Sequence, residues 1–240
     1  MTSAADPVVL VHGVGFGPDT VAPLARALRD RGARVLVVER RGYGSRDGLA
    51  PAATVAENVD DVVAVLDEAG VGRATVAGMS GGATVALAMA ISHPERLIRA
   101  VAHEPAVGAL VPALGELVRG ALAAGGGAGL ARALAGPGTW AALDAPVRDA
   151  VLARATLIER DAPAFLAFDP QLGPAVGERL VCTVGALSPP LRHRVAAALA
   201  HRTGAPVITV PGCAHLPQYD APRTFADTIR AHAPLQETIR

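Results

Sequence analysis

Short β-branched runs alternate with longer helical stretches along most of the chain. The strand candidates are residues 8–11, 34–38, 73–77, 97–102, 180–184 and 206–210. Apolar residues follow one another within these runs, without the alternation of a strand that has one face in water. Such strands are buried on both faces, and the helices between them provide the cover. The pattern predicts an α/β fold whose sheet is parallel and has about six strands.

Residues 105–177 break this alternation. The segment is rich in alanine, leucine, glycine and proline, and it has helical spacing at Leu110, Leu114 and Leu117. It contains no strand candidate, and a connection of this length inside a compact domain usually has a function. We therefore expect a core formed by residues 1–104 and 178–240, with residues 105–177 as a helical lid over the open end of the sheet. A helical decoration without a function is the alternative.

The charge composition excludes several partners and mechanisms. The chain has 22 basic side chains, all arginine, and 22 acidic residues balance them to a formal net charge of zero. Without a basic excess, neither nucleic acid nor an anionic membrane surface is expected as a partner. A chain without lysine cannot form a pyridoxal Schiff base, use a lysine nucleophile or supply the lysine of a phosphate-binding loop. We expect a small-molecule substrate, and the sequence leaves open whether the chain is a monomer or a homodimer.

Two cysteines, Cys182 and Cys213, lie in apolar runs, far from any spacing that suits a metal ion. We expect buried free thiols, with a disulfide as the alternative. Residues 1–7 have no basic flank and no long apolar stretch, so they resemble neither a signal peptide nor an anchor. The other apolar runs stop well short of the roughly 20 residues that a bilayer requires. We expect a cytoplasmic protein that has no membrane partner.

The first glycine-rich loop, residues 12–17, has two interpretations. It follows a strand, and Glu39 lies about 20 residues on, where a dinucleotide fold places a ribose-binding acid. That fingerprint also needs a glycine three positions after its second glycine, where this chain has Pro18 or Thr20. The dinucleotide interpretation is therefore weak, and we expect no cofactor. In the other interpretation, the loop that begins at His12 contributes a backbone N–H to a reaction.

Residues 78–82 have the sequence Gly-Met-Ser-Gly-Gly, which is G-x-S-x-G between a predicted strand and a predicted helix. A nucleophile on so sharp a turn has strained backbone geometry, and neighbouring chains come close on both sides. Glycines two residues before and after the serine relieve those contacts, and the helix directs its positive end at a developing oxyanion. The motif predicts that Ser80 is a nucleophile; an ordinary glycine-rich turn is the alternative.

A serine nucleophile needs a base, and His215 is the best candidate among the seven histidines. It lies in a loop just after the last predicted strand. A parallel sheet delivers that loop to the same edge as Ser80, and the chain order of serine before histidine suits this role.

The chain resembles the α/β-hydrolases over nearly its whole length. The resemblance is carried by residues 12–13 (His-Gly), 41–45 (Arg-Gly-Tyr-Gly-Ser), 78–82 and 211–215 (Pro-Gly-Cys-Ala-His). It implies a serine hydrolase that cleaves a small to medium ester or thioester through an acyl-enzyme, with neither metal nor cofactor. It also implies that the backbone N–H groups of Val14 and Gly81 form the oxyanion hole. Relatives usually carry an antiparallel hairpin before the strand that leads to His-Gly, whereas only about seven residues precede that strand here, so we expect a wholly parallel sheet.

The third member of the catalytic triad departs from the family pattern. Most relatives carry an aspartate in the turn where this chain has Ser188, and serine cannot hold a negative charge. Glu104 follows the strand after the nucleophile helix, at the same sheet edge, and some α/β-hydrolases use an acid there. A carboxylate at that place can orient the base, so Glu104 is the expected acid. Asp169 and Glu178 are reserve candidates.

Apolar side chains are expected to line the substrate pocket, namely Phe16, Met79, Trp140 and Leu216, although each could be a core residue instead. Relatives with the same constellation also act as C–C bond hydrolases, lyases and cofactor-free perhydrolases. The missing aspartate keeps a further alternative open, a non-catalytic hydrolase-like protein that binds a ligand.

Overall fold

Six parallel strands form one sheet in the computed structural model, which describes residues 7–44 and 53–233. The strands are β1 (Pro7–Val11), β2 (Arg34–Val38), β3 (Ala74–Met79), β4 (Leu97–His103), β5 (Leu180–Gly185) and β6 (Val207–Val210). Their order is β2-β1-β3-β4-β5-β6, and every neighbouring pair is parallel. The prediction of a parallel six-stranded sheet is confirmed for the described residues; residues 1–6 and Ser45 lie outside them.

The burial of the strands follows their place in the sheet. Every residue of β3 and β5 is buried, whereas the edge strands β2 and β6 are partly exposed. The four inner strands therefore need apolar residues at consecutive positions, which is the pattern seen in the sequence. Because all strands run the same way, the loops that follow β1, β3, β4, β5 and β6 meet at one edge, where ligands bind in open α/β sheets.

Eleven α-helices occur in the described part of the chain. Their bounds are α1 (Ala22–Arg29), α2 (Val55–Glu68), α3 (Gly81–Ser92), α4 (Pro112–Ala135), α5 (Pro137–Ala142), α6 (Ala145–Ala153), α7 (Ala155–Leu166), α8 (Pro174–Gly177), α9 (Pro190–Thr203), α10 (Pro217–Asp220) and α11 (Pro222–His232). The sequence predicts one helix over residues 19–31, but a short 3₁₀ turn (Pro18–Val21) precedes α1. Pro23 lies in the first turn of α1, the position that tolerates its missing N–H, and this fixes where the helix begins.

The helices cover both faces of the sheet. Leu24 and Leu28 of α1 and Phe225 and Ile229 of α11 form one buried layer with Leu10 of β1. Helices α2 and α3 pack on the other face. Helix α2 begins with a capping box, in which Glu57 N donates to Thr54 Oγ1 while Thr54 N donates to the Glu57 carboxylate.

Residues 105–177 contain helices α4 to α8 and no strand, and all of them belong to the described part of the chain. Helix α4 bends at Gly125 and Gly126, and Gly126 has the positive φ of 58° that favours glycine. At Gly127 a Cβ atom would lie 1.9 Å from the backbone oxygen of Ala155. The three glycines therefore bend α4 and let it lie close against α7.

Cys182 and Cys213 are buried free thiols, as the sequence predicts. Burial raises the pKa of each to about 12, so both stay protonated at neutral pH. Within residues 7–44 and 53–233, every helix is too short or too polar to cross a bilayer.

Candidate active site

Ser80 lies in a strained turn between β3 and α3, with φ 55° and ψ −118°. In the described residues, Ser80 and Glu104 are the two non-glycine residues with positive φ. Such a conformation costs free energy and persists where the surrounding structure enforces it, often at functional sites. A hydrogen bond of 2.9 Å from Ser80 N to His103 O holds the turn against β4.

Two glycines make this turn possible. A Cβ atom at Gly78 would lie 2.0 Å from the backbone oxygen of Gly82, and one at Gly82 would lie 2.1 Å from the backbone oxygen of Val11. Both contacts are with backbone atoms, which cannot rotate away. The physical reason for the spacing in G-x-S-x-G is therefore present here: the turn folds back on itself and against β1, and any side chain would block it.

His215 lies in the loop between β6 and α10 and is buried. Its Nδ1 is 2.7 Å from Oε2 of Glu104, which defines a hydrogen bond from the ring to the carboxylate. Its Nε2 is buried and has no hydrogen-bond partner among the described residues. A second carboxylate holds the loop in place, because Ala214 N donates to Oδ2 of Asp220 at 3.0 Å.

Glu104 follows β4 and is almost fully buried. Oε1 accepts hydrogen bonds from Gly185 N, at 3.0 Å, and from the hydroxyl of Ser188, while Oε2 receives the bond from His215. The turn that lacks the usual aspartate thus donates to a carboxylate that comes from a different strand. The structure brings Glu104 and His215 together, as the sequence analysis expects.

The electrostatics of this pair favour a carboxylate next to a neutral imidazole. Burial raises the pKa of Glu104, but the hydrogen bond from His215 and the charges of nearby groups lower it by a larger amount. The resulting pKa of Glu104 lies far below its usual range. Burial is also the largest influence on His215, and with the charge of Arg192 it lowers the pKa of the ring. Neutral His215 can therefore accept a proton at Nε2 around neutral pH.

Arg192 is a site residue that the sequence analysis missed. It lies in the first turn of α9 and is 7% exposed. Its Nε is 3.6 Å from Oε2 of Glu104. Arginines are common in amphipathic helices, so no signal in the sequence distinguishes this one; only the fold brings α9 to the end of β4.

Two backbone N–H groups near Ser80 are available to a ligand. The N–H groups of Val14 and Gly81 have no hydrogen-bond acceptor among the described residues. The two residues are neighbours, because a Cβ atom at Gly81 would lie 3.4 Å from the Val14 nitrogen. Gly15 N, the next amide in the loop, donates to the hydroxyl of Tyr43 at 2.8 Å and helps to hold the loop.

A second buried arginine, Arg40, contacts this loop and was also not identified from the sequence. Arg40 is fully buried; its Nε donates to Asn58 at 2.6 Å, and a second nitrogen lies 3.5 Å from the carboxylate of Asp161. Its guanidinium group also packs against the rings of Tyr43 and Phe165, at 5.0 and 4.7 Å from their centroids. Asp161 and Phe165 belong to α7, so Arg40 links the helical insertion to the loop after β1.

Two cavities adjoin these residues. A small one of about 30 Å³ touches Ser80; its walls are Val14, Ala106, Leu114, Val118, Leu130, Leu134, Ala162, Phe165, Leu166 and Arg192. A larger cleft of about 820 Å³ contacts His215, and its walls include Arg192, Leu187, Tyr219, Asp220 and residues of α4 and α5. Arg192 lines both cavities, so it lies between the serine and the larger cleft.

The apolar residues predicted for the pocket lie elsewhere. Phe16, Met79 and Leu216 are buried core residues, and Trp140 packs against the core, with the guanidinium group of Arg132 over its ring at 5.6 Å. None of the four lines either cavity. Leucine, valine and alanine side chains of the helical insertion form the walls instead, together with Phe165.

Neither reserve acid is paired with His215 in the described part of the chain, where the ring is bonded to Glu104. Asp169 is exposed in the loop before α8, where it lines a groove along α2 and α3. Glu178 is exposed and precedes β5, so it lies at the opposite end of the sheet from the residues that follow the strands. As for metal ligands, the described residues include no group of three or more His, Cys, Asp or Glu side chains that could hold an ion together.

Comparison with known proteins gives a family for the chain. The profile of the alpha/beta hydrolase family matches residues 8–228. Over 95 residues the chain is 39% identical to RutD of Caulobacter sp. (strain K31), a protein that bears the name of a carbamate hydrolase. That match spans 39% of this chain and 35% of RutD, so it covers about a third of the relative.

Solved structures resemble the chain over nearly its whole length. A bacterial membrane phospholipase A superposes with a TM-score of 0.76 at 21% identity, covering 96% of this chain and 79% of the other. The enol-lactonase from Burkholderia xenovorans LB400 superposes with a TM-score of 0.69 at 20% identity, covering 95% and 91%. At these identities the likeness establishes the fold, a parallel sheet with helices on both faces.

Proposed function

Because the chain belongs to the alpha/beta hydrolase family, we propose that it hydrolyses carboxylic esters or thioesters through an acyl-enzyme on Ser80. The observation that supports this proposal most strongly is the pairing of His215 with Glu104 at 2.7 Å, at the sheet edge where Ser80 occupies its strained turn. The carboxylate fixes the ring so that Nδ1 carries the proton, and Nε2 is left unpaired as a base.

The reaction proceeds in two acyl transfers. His215 Nε2 takes the proton of the Ser80 hydroxyl as the serine oxygen attacks the carbonyl carbon, and the N–H groups of Val14 and Gly81 bind the oxyanion. His215 then gives its proton to the leaving alcohol or thiol as the bond to the acyl carbon breaks. In the second transfer His215 takes a proton from water as the water oxygen attacks the acyl carbon, and the ring then gives that proton to Ser80 Oγ as the bond between Ser80 and the acyl group breaks and the acid is released. Glu104 stabilises the imidazolium ion in both steps.

The cavity sizes support a short acyl group. The cavity at Ser80, with about 30 Å³, has room for one or two water-sized groups. Its walls are aliphatic side chains and Phe165, so it suits an acetyl or propionyl group. The cleft beside His215 is much larger, and it suits the leaving alcohol, which receives the proton from that ring.

The helical insertion acts as the lid in this proposal. Leu114, Val118 and Leu130 of α4 and Phe165 of α7 supply much of the wall around Ser80. Because these side chains exclude water from the serine, they strengthen the electrostatic interactions that stabilise the oxyanion. The alternative of a non-catalytic binding protein rests on the missing aspartate at position 188, and the placement of Glu104 supports catalysis instead.

Ester hydrolysis tests the proposal. We expect the purified protein to hydrolyse p-nitrophenyl acetate, with kcat/KM falling as the acyl chain is lengthened to butyrate and octanoate. Ser80→Ala should lose at least about 10³-fold in kcat, because the nucleophile is gone. Ser92→Ala, at the other end of α3, is the matched control and should keep the wild-type rate. Equal rates for Ser80→Ala and the wild type would contradict the proposal.

A further inference from the structure

Arg192 is a buried cation at the boundary between the two cavities. The residue is 7% exposed, yet it lines both the cavity at Ser80 and the cleft beside His215. Some side-chain nitrogen and oxygen atoms of the described residues are fully buried and have no hydrogen-bond partner, and no nitrogen of Arg192 is among them. The guanidinium group therefore borders the cavities and is not sealed inside the protein.

Its hydrogen-bonding capacity is largely unused. A guanidinium group has five N–H donors. Among the described residues, the side chain of Arg192 donates no hydrogen bond, and its nearest carboxylate oxygen, Oε2 of Glu104, is 3.6 Å from Nε. Glu104 already accepts bonds from Gly185, Ser188 and His215. The ion pair with Glu104 therefore leaves the Arg192 donors open to a ligand.

The position of Arg192 is unfavourable for a cation that has only a structural role. Its place in the first turn of α9 puts the positive charge next to the positive end of the helix dipole. A buried charge is costly unless it is paired and hydrogen-bonded. An anion in the cleft would supply those bonds to the guanidinium group.

The acidic residues of the cleft do not compete for this place. Asp220 uses both oxygens within the protein, Oδ1 with the hydroxyl of Thr139 at 2.8 Å and Oδ2 with Ala214 N at 3.0 Å. Asp144 also borders the cleft, but it is exposed, so water screens its charge. Around these groups the wall is apolar, with Leu134 and Leu143 among its residues.

We infer that Arg192 forms an anion-binding subsite and that the substrate is a short-chain ester whose leaving alcohol carries a carboxylate. The inference rests on the proposed function: the acyl group occupies the small cavity at Ser80, and the alcohol lies in the cleft. The carboxylate accepts two parallel hydrogen bonds from the guanidinium fork. Arg192 is then a specificity-determining residue, since it contacts the substrate away from the scissile bond.

A matched pair of esters tests the subsite. The meta and para isomers of acetoxybenzoate carry a carboxylate on the leaving phenol, and the corresponding acetoxybenzamides replace it by an uncharged group of the same shape. The quantity to measure is the ratio of kcat/KM for the benzoate to that for the benzamide. Comparing this ratio between variants cancels the intrinsic difference in leaving-group reactivity.

In Arg192→Gln we expect the ratio to fall roughly 10- to 100-fold, mainly through a higher KM for the benzoate, because a hydrogen-bonded charge is lost. Arg192→Lys keeps the charge without the fork, so its ratio should lie between those of Arg192→Gln and the wild type. Arg194→Gln removes the same charge from an exposed position of α9, and it should leave the ratio unchanged. An equal loss for both esters in Arg192→Gln would overturn the inference, because Arg192 would then act through Glu104.

A binding measurement separates failure of the subsite from failure of the proposed function. Acetamidobenzoate and acetamidobenzamide have the shapes of the esters but resist hydrolysis, so calorimetry can report their affinities without any turnover. We expect the wild type to bind the anion at least tenfold more tightly and Arg192→Gln to lose that preference. Equal affinities in the wild type would contradict the subsite whether or not the esters are cleaved. Anion preference without ester cleavage would support the subsite and contradict the proposed function alone.

Discussion

The hydroxyl of Ser188 donates a hydrogen bond to Oε1 of Glu104 across the loops that follow β5 and β4. In the usual family pattern the acid lies in the Ser188 turn, whereas here that turn provides a donor to an acid from another strand. The carboxylate therefore reaches the same histidine nitrogen from a different part of the chain. This relationship explains how the site keeps its geometry without an aspartate at position 188.

Glu104→Gln should lower kcat/KM for p-nitrophenyl acetate by about 10³- to 10⁴-fold, because the amide neither fixes the ring tautomer nor stabilises the imidazolium ion. Ser188→Ala is the matched comparison. It removes one of the donors to Glu104 but leaves Gly185 N and His215 in place, so we expect a loss of about tenfold or less. A wild-type rate in Glu104→Gln would show that another group orients His215.

Ser188→Asp, which introduces the acid that most relatives carry in this turn, should destabilise the fold as long as Glu104 is present. Ser188→Asp places a second carboxylate against Oε1 of Glu104, and two like charges cannot both ionise there without a large cost. We expect a fall of about 2 kcal/mol in the free energy of unfolding at pH 7, measured with urea. In the double variant with Glu104→Gln a single carboxylate remains, so the stability should return. Additive losses in the double variant would contradict direct contact between the two side chains.

The pH dependence of kcat/KM for a neutral ester should follow His215. Neutral imidazole is the active form, so activity falls as the pH drops through the pKa of the ring. Burial and Arg192 lower that pKa, so the midpoint of the acid limb should lie below the ordinary value of about 6.5. Arg192→Gln removes a positive charge that disfavours the imidazolium ion, and the midpoint should move to higher pH. A shift to lower pH would contradict this assignment.

Asp161→Asn should destabilise the fold, since it leaves the buried guanidinium group of Arg40 without its charged partner. Breaking a buried ion pair costs about 3–5 kcal/mol, and urea unfolding measures the loss. The comparison variant is Asp61→Asn, which removes the nearer of two carboxylate partners of Arg41 at a partly exposed pair and should change the stability little. Equal effects of the two substitutions would mean that the Arg40 pair contributes no more than a surface pair.

Gly78→Ala should prevent the turn at Ser80 from forming, because its Cβ atom would meet the backbone oxygen of Gly82 at 2.0 Å. We expect a loss of at least about 3 kcal/mol in unfolding free energy, or no folded protein at all. Gly120→Ala, at an exposed position of α4, is the control; a Cβ atom there meets nothing within 4 Å, and stability should rise by up to about 1 kcal/mol. A folded, active Gly78→Ala protein would show that the turn has more room than these distances allow.

The sheet and the ends of its strands were predictable because they depend on local patterns. Apolar runs such as residues 180–184 indicate a strand that is buried on both faces. Because the strands are parallel, Ser80, Glu104 and His215 all lie at one edge of the sheet. Ser80 could be named from the G-x-S-x-G motif and His215 from its place after the last strand, and Glu104 from its strand position together with the resemblance to the family. The partnership of Glu104 with His215 was expected for the same reason, since both follow strands of one sheet.

The pocket and the buried arginines could not be predicted, because they depend on how distant helices pack. Phe16 and Met79 are apolar residues close to the site in sequence, but their side chains point into the core layers. Much of the wall of the cavity at Ser80 comes from α7 and from both sides of the bend in α4. Arg40 and Arg192 look like surface arginines in the sequence, since no local pattern reports burial between separate elements.

Covalent labelling by a fluorophosphonate probe, followed by intact mass spectrometry and peptide mapping, tests whether Ser80 is an activated nucleophile. We expect one adduct per wild-type chain, located on Ser80, no adduct in Ser80→Ala, and much slower labelling in Glu104→Gln. A wild-type protein that stays unlabelled, or an adduct on any other residue, would show that Ser80 is not the nucleophile.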